Sequence, residues 1–343
     1  MYEDQDIDNI ELAMQLISVS DHQYEKGQSD ANKEVAISSR QPMLVCDVCT
    51  NTIIESLHHP TYFPDGAPVC CDIIWKQTIC PKHLEDRTPI CCGCMRLKTS
   101  DVTYINLGEG REICLDCYST AIVDIRQCEP LMIHKCHEFF RTLNLDLPDD
   151  VRVFLVDKKE MDRLNCEQEP TPFGLPFKAD MGTITGVTSC SRKGDSVVVE
   201  RQFHGDYRTG IAILFGLPKI MTQAILAHEM MHVWFRSKGI IFGELEKKLE
   251  EGMCQVIGWK WLDWLDSEIT SSSSATTSHE QAQFLRKLVQ TYKFVVEKHD
   301  SDEYGQGFRE VQRAVARFGL ETTINHMITT YKKKASRRMP VTL

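Results

Sequence analysis

Ten of the fifteen cysteines in this 343-residue chain fall between Cys46 and Cys117, and most of them stand in pairs with two residues between. The pairs are Cys46 with Cys49, Cys80 with His83, Cys91 with Cys94, and Cys114 with Cys117. Four pairs supply two tetrahedral metal sites. Apolar runs between them are short, so this stretch cannot assemble a large core and depends on metal for its fold. The chain opens Met1-Tyr2-Glu3-Asp4-Gln5-Asp6, without the basic start and apolar run of a secretory signal. Paired cysteines in that setting read as metal ligands and not as a disulfide framework.

The nineteen residues between Cys94 and Cys114 fit the second half of a LIM zinc finger. The first half departs from that pattern, with thirty residues between Cys49 and Cys80, a Cys-x-x-His pair in place of His-x-x-Cys, and seven residues before Cys91. The module is therefore LIM-like. One structural zinc is expected on Cys46, Cys49, Cys80 and His83, the other on Cys91, Cys94, Cys114 and Cys117. Cys70, Cys71, Cys92, His58 and His59 are substitutes, and Cys92 competes most directly with Cys91.

Beyond Cys128 the pattern changes to longer periodic segments. Leu131 to Leu143 reads as a helix and Val151 to Asp157 as a strand. Val187 to Arg192 and Ser196 to Phe203 read as a strand pair joined at Lys193-Gly194-Asp195. Gly210 to Phe215 reads as a further strand, either an edge able to pair with an extended substrate or an interior strand. Helices are expected over Ile220 to Lys238, ended by Gly239, and over Glu244 to Leu265, Glu280 to Lys298, Gly307 to Phe318 and Glu321 to Lys334. The run Thr270 to Ser278 is nearly all serine and threonine and reads as a surface loop.

The helix at 220 carries His228-Glu229-Met230-Met231-His232. At 3.6 residues per turn, His228 and His232 project from one face and can hold a single zinc, with Glu229 beside them as a base. Eighteen residues later come Glu250-Glu251-Gly252. Glu251 is the expected third ligand, because zinc peptidases of the Glu-ligand class place that carboxylate before a small residue on the next helix, and Glu250 is the runner-up. An open fourth position suits peptide hydrolysis, with Glu229 taking the proton of a polarised water. Tyr292, His299, Tyr304 and His326 are offered as oxyanion stabilisers, undistinguished by sequence.

Residues 1 to about 41 hold nine acidic and three basic side chains. Asp6, Asp8 and Glu11 lead into a helical face of Ile10, Ala13, Met14 and Ile17, which resembles a ubiquitin-interacting motif; docking on the rest of the chain is the alternative. A net charge of -10 argues against nucleic-acid binding, and the one basic cluster, Lys332 to Arg338, reads as a solvated helix end. No stretch has the length of a membrane span, so a cytoplasmic or nuclear protein is expected.

Cys-Pro-Lys-His at 80 to 83, Cys-Cys-Gly-Cys at 91 to 94, Ile213 to Pro218, Ala227 to His232, Glu250 to Val256 and Tyr304 to Arg309 together resemble the plant DA-one and DA-one-related family, over roughly residues 42 to 330. That resemblance implies a ubiquitin-activated peptidase that cleaves regulators of cell proliferation and limits organ growth. It maps the zinc histidines onto His228 and His232 and the catalytic glutamate onto Glu229. The chain differs from longer members in having one cysteine module, and in a spacing of five between Ala13 and Ser18. The expected architecture is α+β: an acidic tail with its helix (1–41), a LIM-like double zinc module (42–128) and a zincin-like metallopeptidase domain (129–343). About three zinc ions are expected per chain, with protein substrates and ubiquitin or ubiquitinated proteins as partners. The competing reading is a catalytically inactive adaptor that recruits partners through the module and the N-terminal helix.

Overall fold

A computed structural model describes residues 44–53, 73–84, 86–124, 131–165, 179–193, 196–240, 245–272, 278–299 and 301–338. The expected N-terminal helix with Ile10, Ala13, Met14 and Ile17 lies outside them, as do His58, His59, Cys70 and Cys71.

The cysteine-rich part is built from short pieces: a bridge between Val45 and Thr52, a single 3-10 turn at Pro81–Leu84, and a bridge between Ile90 and Leu97. The hairpin β1 (Tyr104–Gly108) and β2 (Arg111–Cys114) follows, then the one-turn helix α1 (Leu115–Tyr118) and β3 (Ala121–Ile122). Next come α2 (Leu131–Thr142), β4 (Val153–Val156), α3 (Lys158–Asn165), the long pair β5 (Ala179–Lys193) and β6 (Ser196–Leu214), and β7 (Leu217–Pro218). The rest is helical: α4 (Lys219–Ser237), α5 (Lys247–Ser272), α6 (His279–Lys298), a π-helical turn at Asp302–Gln306, α7 (Gly307–Phe318) and α8 (Leu320–Arg338). The mixture of helix and strand is the expected α+β class. No helix among the described residues is long and apolar enough to cross a membrane.

β6 is the spine of a five-stranded sheet, with β5 antiparallel along it from Ala179↔Ile213 to Lys193↔Ser196. β4 pairs parallel with its last residues, Val153↔Ile211 to Val156↔Leu214, and β1 meets its start at Asn106↔Ser196. The segment at Gly210 is thus an interior strand, corrected from the edge alternative: Ile211 pairs with Val153 on one side and with Met181 on the other. Its composition agrees. Ile211 to Phe215 are all buried, the continuous apolar run of a strand covered on both faces.

α4 is the central helix. Thirteen of its nineteen residues are buried, too many for a one-faced surface helix. Met230, Met231 and Phe235 are fully buried, each contributing about 1.5–3 kcal/mol relative to exposure. Gly239, at φ 81°, ends it as expected. The Gly239 N–H donates to Arg236 O at 2.9 Å and the Ile240 N–H to Phe235 O at 3.1 Å, so the left-handed residue satisfies the last carbonyls. α5 runs seven residues past the expected Leu265, taking Thr270–Ser272 into the helix, while Ser278 caps α6 by accepting from Gln281 N at 3.2 Å. Phe139 of α2 stacks edge-on against Trp261 of α5 at 5.0 Å, closing the core on that side.

The cysteine-rich part and the helical part share this core. β3 pairs with β7, Ala121↔Pro218 and Ile122↔Leu217, and Arg111 Nη1 donates to Phe215 O at 2.8 Å. α4 has no side-chain N-cap; its first N–H, on Lys219, donates to Thr120 O at 2.9 Å. The helix bearing the histidines therefore starts on the carbonyl of Thr120, the residue just before β3.

Candidate metal centres

On α4 the rings of His228 and His232 lie one turn apart with centroids 5.2 Å from each other, and Glu229 is buried beside them. α5 packs across α4 and brings Glu251 to the same point. Glu251 Oε2 lies 3.3 Å from His228 Nε2 and 3.5 Å from His232 Nε2. Ligands about 2.0–2.2 Å from one zinc at tetrahedral angles stand about 3.4 Å apart, so this spacing fits a shared ion. That oxygen is buried and has no hydrogen-bond partner among the described residues, which a coordinated metal would answer. Burial alone would raise the Glu251 carboxyl, but the His228 and His232 rings outweigh it and hold the group well below its usual range.

Glu250, the runner-up ligand, has a different place. Its Oε1 lies 2.9 Å from Nδ1 of His232, the ring nitrogen away from Glu251. A carboxylate there fixes the ring's orientation and its tautomer, leaving Nε2 for the metal. Burial would lower His232; Cys254 and the two carboxylates together raise it well above the ordinary value.

Gly252 explains why a small residue follows Glu251. A Cβ there would meet Gly307 O at 2.4 Å, and one on Gly307 would meet Lys248 O at 2.4 Å, so α5 and the start of α7 touch backbone to backbone. This contact sets the π-helical turn against the centre. Ser301 Oγ accepts from the N–H groups of Tyr304 and Gly305, and Lys248 Nζ lies 2.8 Å from Glu310 Oε1. Among the four residues offered as oxyanion stabilisers, Tyr304 is the one that lies on this turn. Its phenol is raised first by burial and then by the charges of Glu251 and Glu229, so it stays a proton donor. Tyr292 is raised first by burial and then by the charges of Cys117, Cys92, Cys91 and Cys94. His299 packs behind Tyr304 at 6.3 Å between ring centroids, and His326 approaches Thr330 on its own helix.

Sequence reasoning passed over Cys254. It follows Glu251 by three residues and Glu250 by four, so helical spacing puts all three on one face. One donor atom each from His228, His232 and Cys254 lie within 4.8 Å of one another. Burial pushes this thiol up to about 12 against the opposing influence of His232.

The paired cysteines form two further clusters, each with its ligand atoms inside 4.8 Å: Cys46, Cys49, Cys80 and His83, and Cys91, Cys94, Cys114 and Cys117. Sulfurs about 2.3 Å from a tetrahedral zinc stand about 3.8 Å apart. Cys49 Sγ and Cys80 Sγ are separated by 3.9 Å, and Cys94 Sγ and Cys114 Sγ by 3.8 Å. These separations fit zinc and are far too long for a disulfide. In the first cluster His83 gives Nδ1 to Asp86 (2.9 Å) and Thr88 (2.8 Å), while its buried Nε2 has no partner among the described residues. Burial opposes ionisation of Cys46, yet N–H groups of Cys49, Cys80 and Val48 bring it down to about 7.

In the second cluster the Arg96 guanidinium donates to Cys94 Sγ at 3.1 Å and to Cys114 Sγ at 3.2 Å, offsetting thiolate charge in a fully buried place. Hydrogen bonds from Cys117, Cys91 and Cys94 hold Cys114 far below the ordinary thiol value, with burial acting against them. Cys91 stands in this cluster; its neighbour Cys92 is buried outside it and pushed up to about 12 by burial.

A family model described as "DA1-like: Protein DA1" matches residues 142–330. The chain is similar to Protein DA1 of Arabidopsis thaliana, 33% identical over 318 residues that cover 83% of this chain and 56% of that protein. Protein DA1-related 1 of the same plant is 33% identical over 317 residues, covering 83% and 54%. The LIM domain-containing protein HDR3 of Oryza sativa subsp. japonica is 30% identical over 323 residues, covering 83% and 61%. The chain thus spans a little over half the length of these relatives. No solved structure matches it.

Proposed function

This chain belongs to the DA1 family, and we propose that it is a zinc metallopeptidase with a zincin-like domain of the Glu-ligand class. In this reading it is controlled by ubiquitin and cleaves regulatory proteins of cell proliferation and organ growth in the cytoplasm or nucleus. The observation that carries the proposal is the convergence of His228, His232 and Glu251 at 3.3 and 3.5 Å with Glu229 alongside. Zinc bound there supplies Lewis acidity toward a water and a peptide carbonyl, while the two cysteine-rich sites, all protein ligands, hold zinc for structure.

The chain's own residues do the rest. Glu229, whose Oε1 lies 3.9 Å from His228 Nε2, accepts the proton of the attacking water and passes it to the leaving amine. Tyr304 donates a hydrogen bond to the oxygen that gains charge as the carbonyl carbon becomes tetrahedral. Glu250 keeps the His232 ring in register. The N-terminal segment with Ile10, Ala13, Met14 and Ile17 takes ubiquitin.

The test incubates purified protein with candidate substrates, ubiquitinated and not, beside Glu229→Gln. Fragments formed by the wild type alone support the reading, and equal yields from both proteins sink it. About three zinc per chain are expected, falling to two in His228→Ala. Titration of labelled ubiquitin into residues 1 to 41 examines the regulatory half; no shift at millimolar concentration removes ubiquitin from the account.

A further inference from the structure

α5 turns two carboxylates and a thiol toward α4: Glu250, Glu251 and Cys254. Glu250 is engaged with Nδ1 of His232 and Glu251 points an unpartnered, buried oxygen at both Nε2 atoms. The Cys254 sulfur and one donor atom from each histidine lie inside 4.8 Å of one another, a set that does not take in a Glu251 oxygen. Cys254 is wholly buried, whereas the His228 side chain keeps 13% of its surface exposed. Solvent therefore reaches the centre from the His228 side, and the thiol stands on its inner wall.

A nitrogen and a sulfur on one tetrahedral zinc are about 3.6 Å apart. The sulfur has at most about 1.2 Å to close on the histidines and more than that on the Glu251 oxygen, a movement that a change of the first side-chain torsion of a cysteine covers. We propose that Cys254 is a fourth protein ligand at this centre, closing it in the resting protein and leaving it when the centre opens. The inference rests on the reading that His228, His232 and Glu251 hold a metal.

In the closed arrangement the sulfur loses its proton to solvent as the metal–sulfur bond forms. On opening that bond breaks, a water enters the position and the sulfur takes a proton back; no oxidant or reductant is involved. Four protein ligands make a structural type of site and three with an open position a catalytic type, so this one side chain separates a latent from a competent centre. A sulfur donor also favours thiophilic ions over a purely nitrogen-and-oxygen set.

The test is cadmium-113 NMR on the full chain loaded with cadmium alone, where each thiolate ligand moves the metal resonance downfield. Three resonances are expected, two from the cysteine-rich clusters and a third that His228→Ala removes. With Cys254 as a ligand the third lies downfield of a nitrogen-and-oxygen site, and Cys254→Ser or Cys254→Ala moves it upfield while the other two stay in place. A third resonance at the same position in wild type and variants overturns the proposal and leaves the metal centre standing. A wild-type third resonance already at a nitrogen-and-oxygen position overturns it without any variant, which covers the case of variants that do not fold. Absence of a third resonance from the wild type overturns both this inference and the metal-centre reading.

Discussion

Replacing Gly252 by alanine sets two effects of opposite sign against each other. In a helix interior alanine is favoured over glycine by about 1 kcal/mol, so on propensity alone Gly252→Ala stabilises α5. Its Cβ, however, would lie 2.4 Å from Gly307 O and 2.5 Å from Gly307 C, with Val311 Cγ2 at 3.0 Å. The first two are backbone atoms and cannot swing aside. Ordinary contact is about 3.4 Å or more, so α5 and α7 must part by about 1 Å. Overpacking of this kind costs about 1–3 kcal/mol, and with the propensity gain subtracted the net loss is about 0–2 kcal/mol. For a domain of this size that lowers the melting temperature by up to about 8 °C. The larger effect is on the centre, because the part of the chain that moves carries Tyr304. A displacement of about 1 Å at a positioning group costs about a hundredfold in rate. The assays are a thermal melt, zinc content and cleavage rate: a lower melting temperature, unchanged zinc and a cleavage rate down about a hundredfold are expected. Gly258→Ala, on the same helix with its nearest contact at 3.2 Å to Ala224 O, supplies the comparison and should lose less. A Gly252→Ala protein as stable and active as wild type would refute the backbone contact as the device that positions Tyr304.

Glu250→Gln keeps the shape but removes the charge at Nδ1 of His232, and zinc affinity of that centre should fall about 10–100-fold in a chelator competition with the cysteine sites unaffected. Tyr304→Phe should lower kcat by about 10²–10³ with KM and zinc content unchanged, as for a lost oxyanion donor. Arg96→Ala removes two N–H donors to Cys94 and Cys114 and should destabilise the protein by about 2–3 kcal/mol, read as a lower melting temperature and faster zinc loss to a chelator. Acidification should release zinc from all three centres as thiolates and imidazoles take up protons, followed by proton uptake and metal release in one titration.

Local signals carried much of the fold. The expected bounds of α7, Gly307 to Phe318, coincide with the observed helix, and Gly239 marked the end of α4 through its left-handed backbone. The strand from Gly210 could not be placed at an edge or inside from its own residues, since that depends on β4 and β5, which arrive from elsewhere in the chain. Helix α5 outran its expected end because serine and threonine are weak helix formers whose local preference is overridden once the preceding turns are packed. At the candidate centre, His228, Glu229, His232 and Glu251 were legible from spacing. Cys254 shares the helix face of Glu251 one turn beyond it, but a single cysteine in an apolar helix reads equally as a buried core residue. Tyr304 was not legible against Tyr292, His299 and His326, because its place is set by Gly252 and Gly307 approaching through backbone, an event without sequence periodicity.

The seam between β3 and β7 bears on how this protein can be divided. A fragment beginning at residue 142, where similarity to the family model starts, would deprive Leu217 and Pro218 of their strand partners, Phe215 O of the Arg111 guanidinium and Lys219 of the carbonyl that starts α4. The histidine helix would then begin on unsatisfied groups above an exposed apolar floor. Interchangeability of parts is lost at that seam, and exchanging the cysteine-rich segment for a relative's would require carrying Thr120, Ala121 and Ile122 with it.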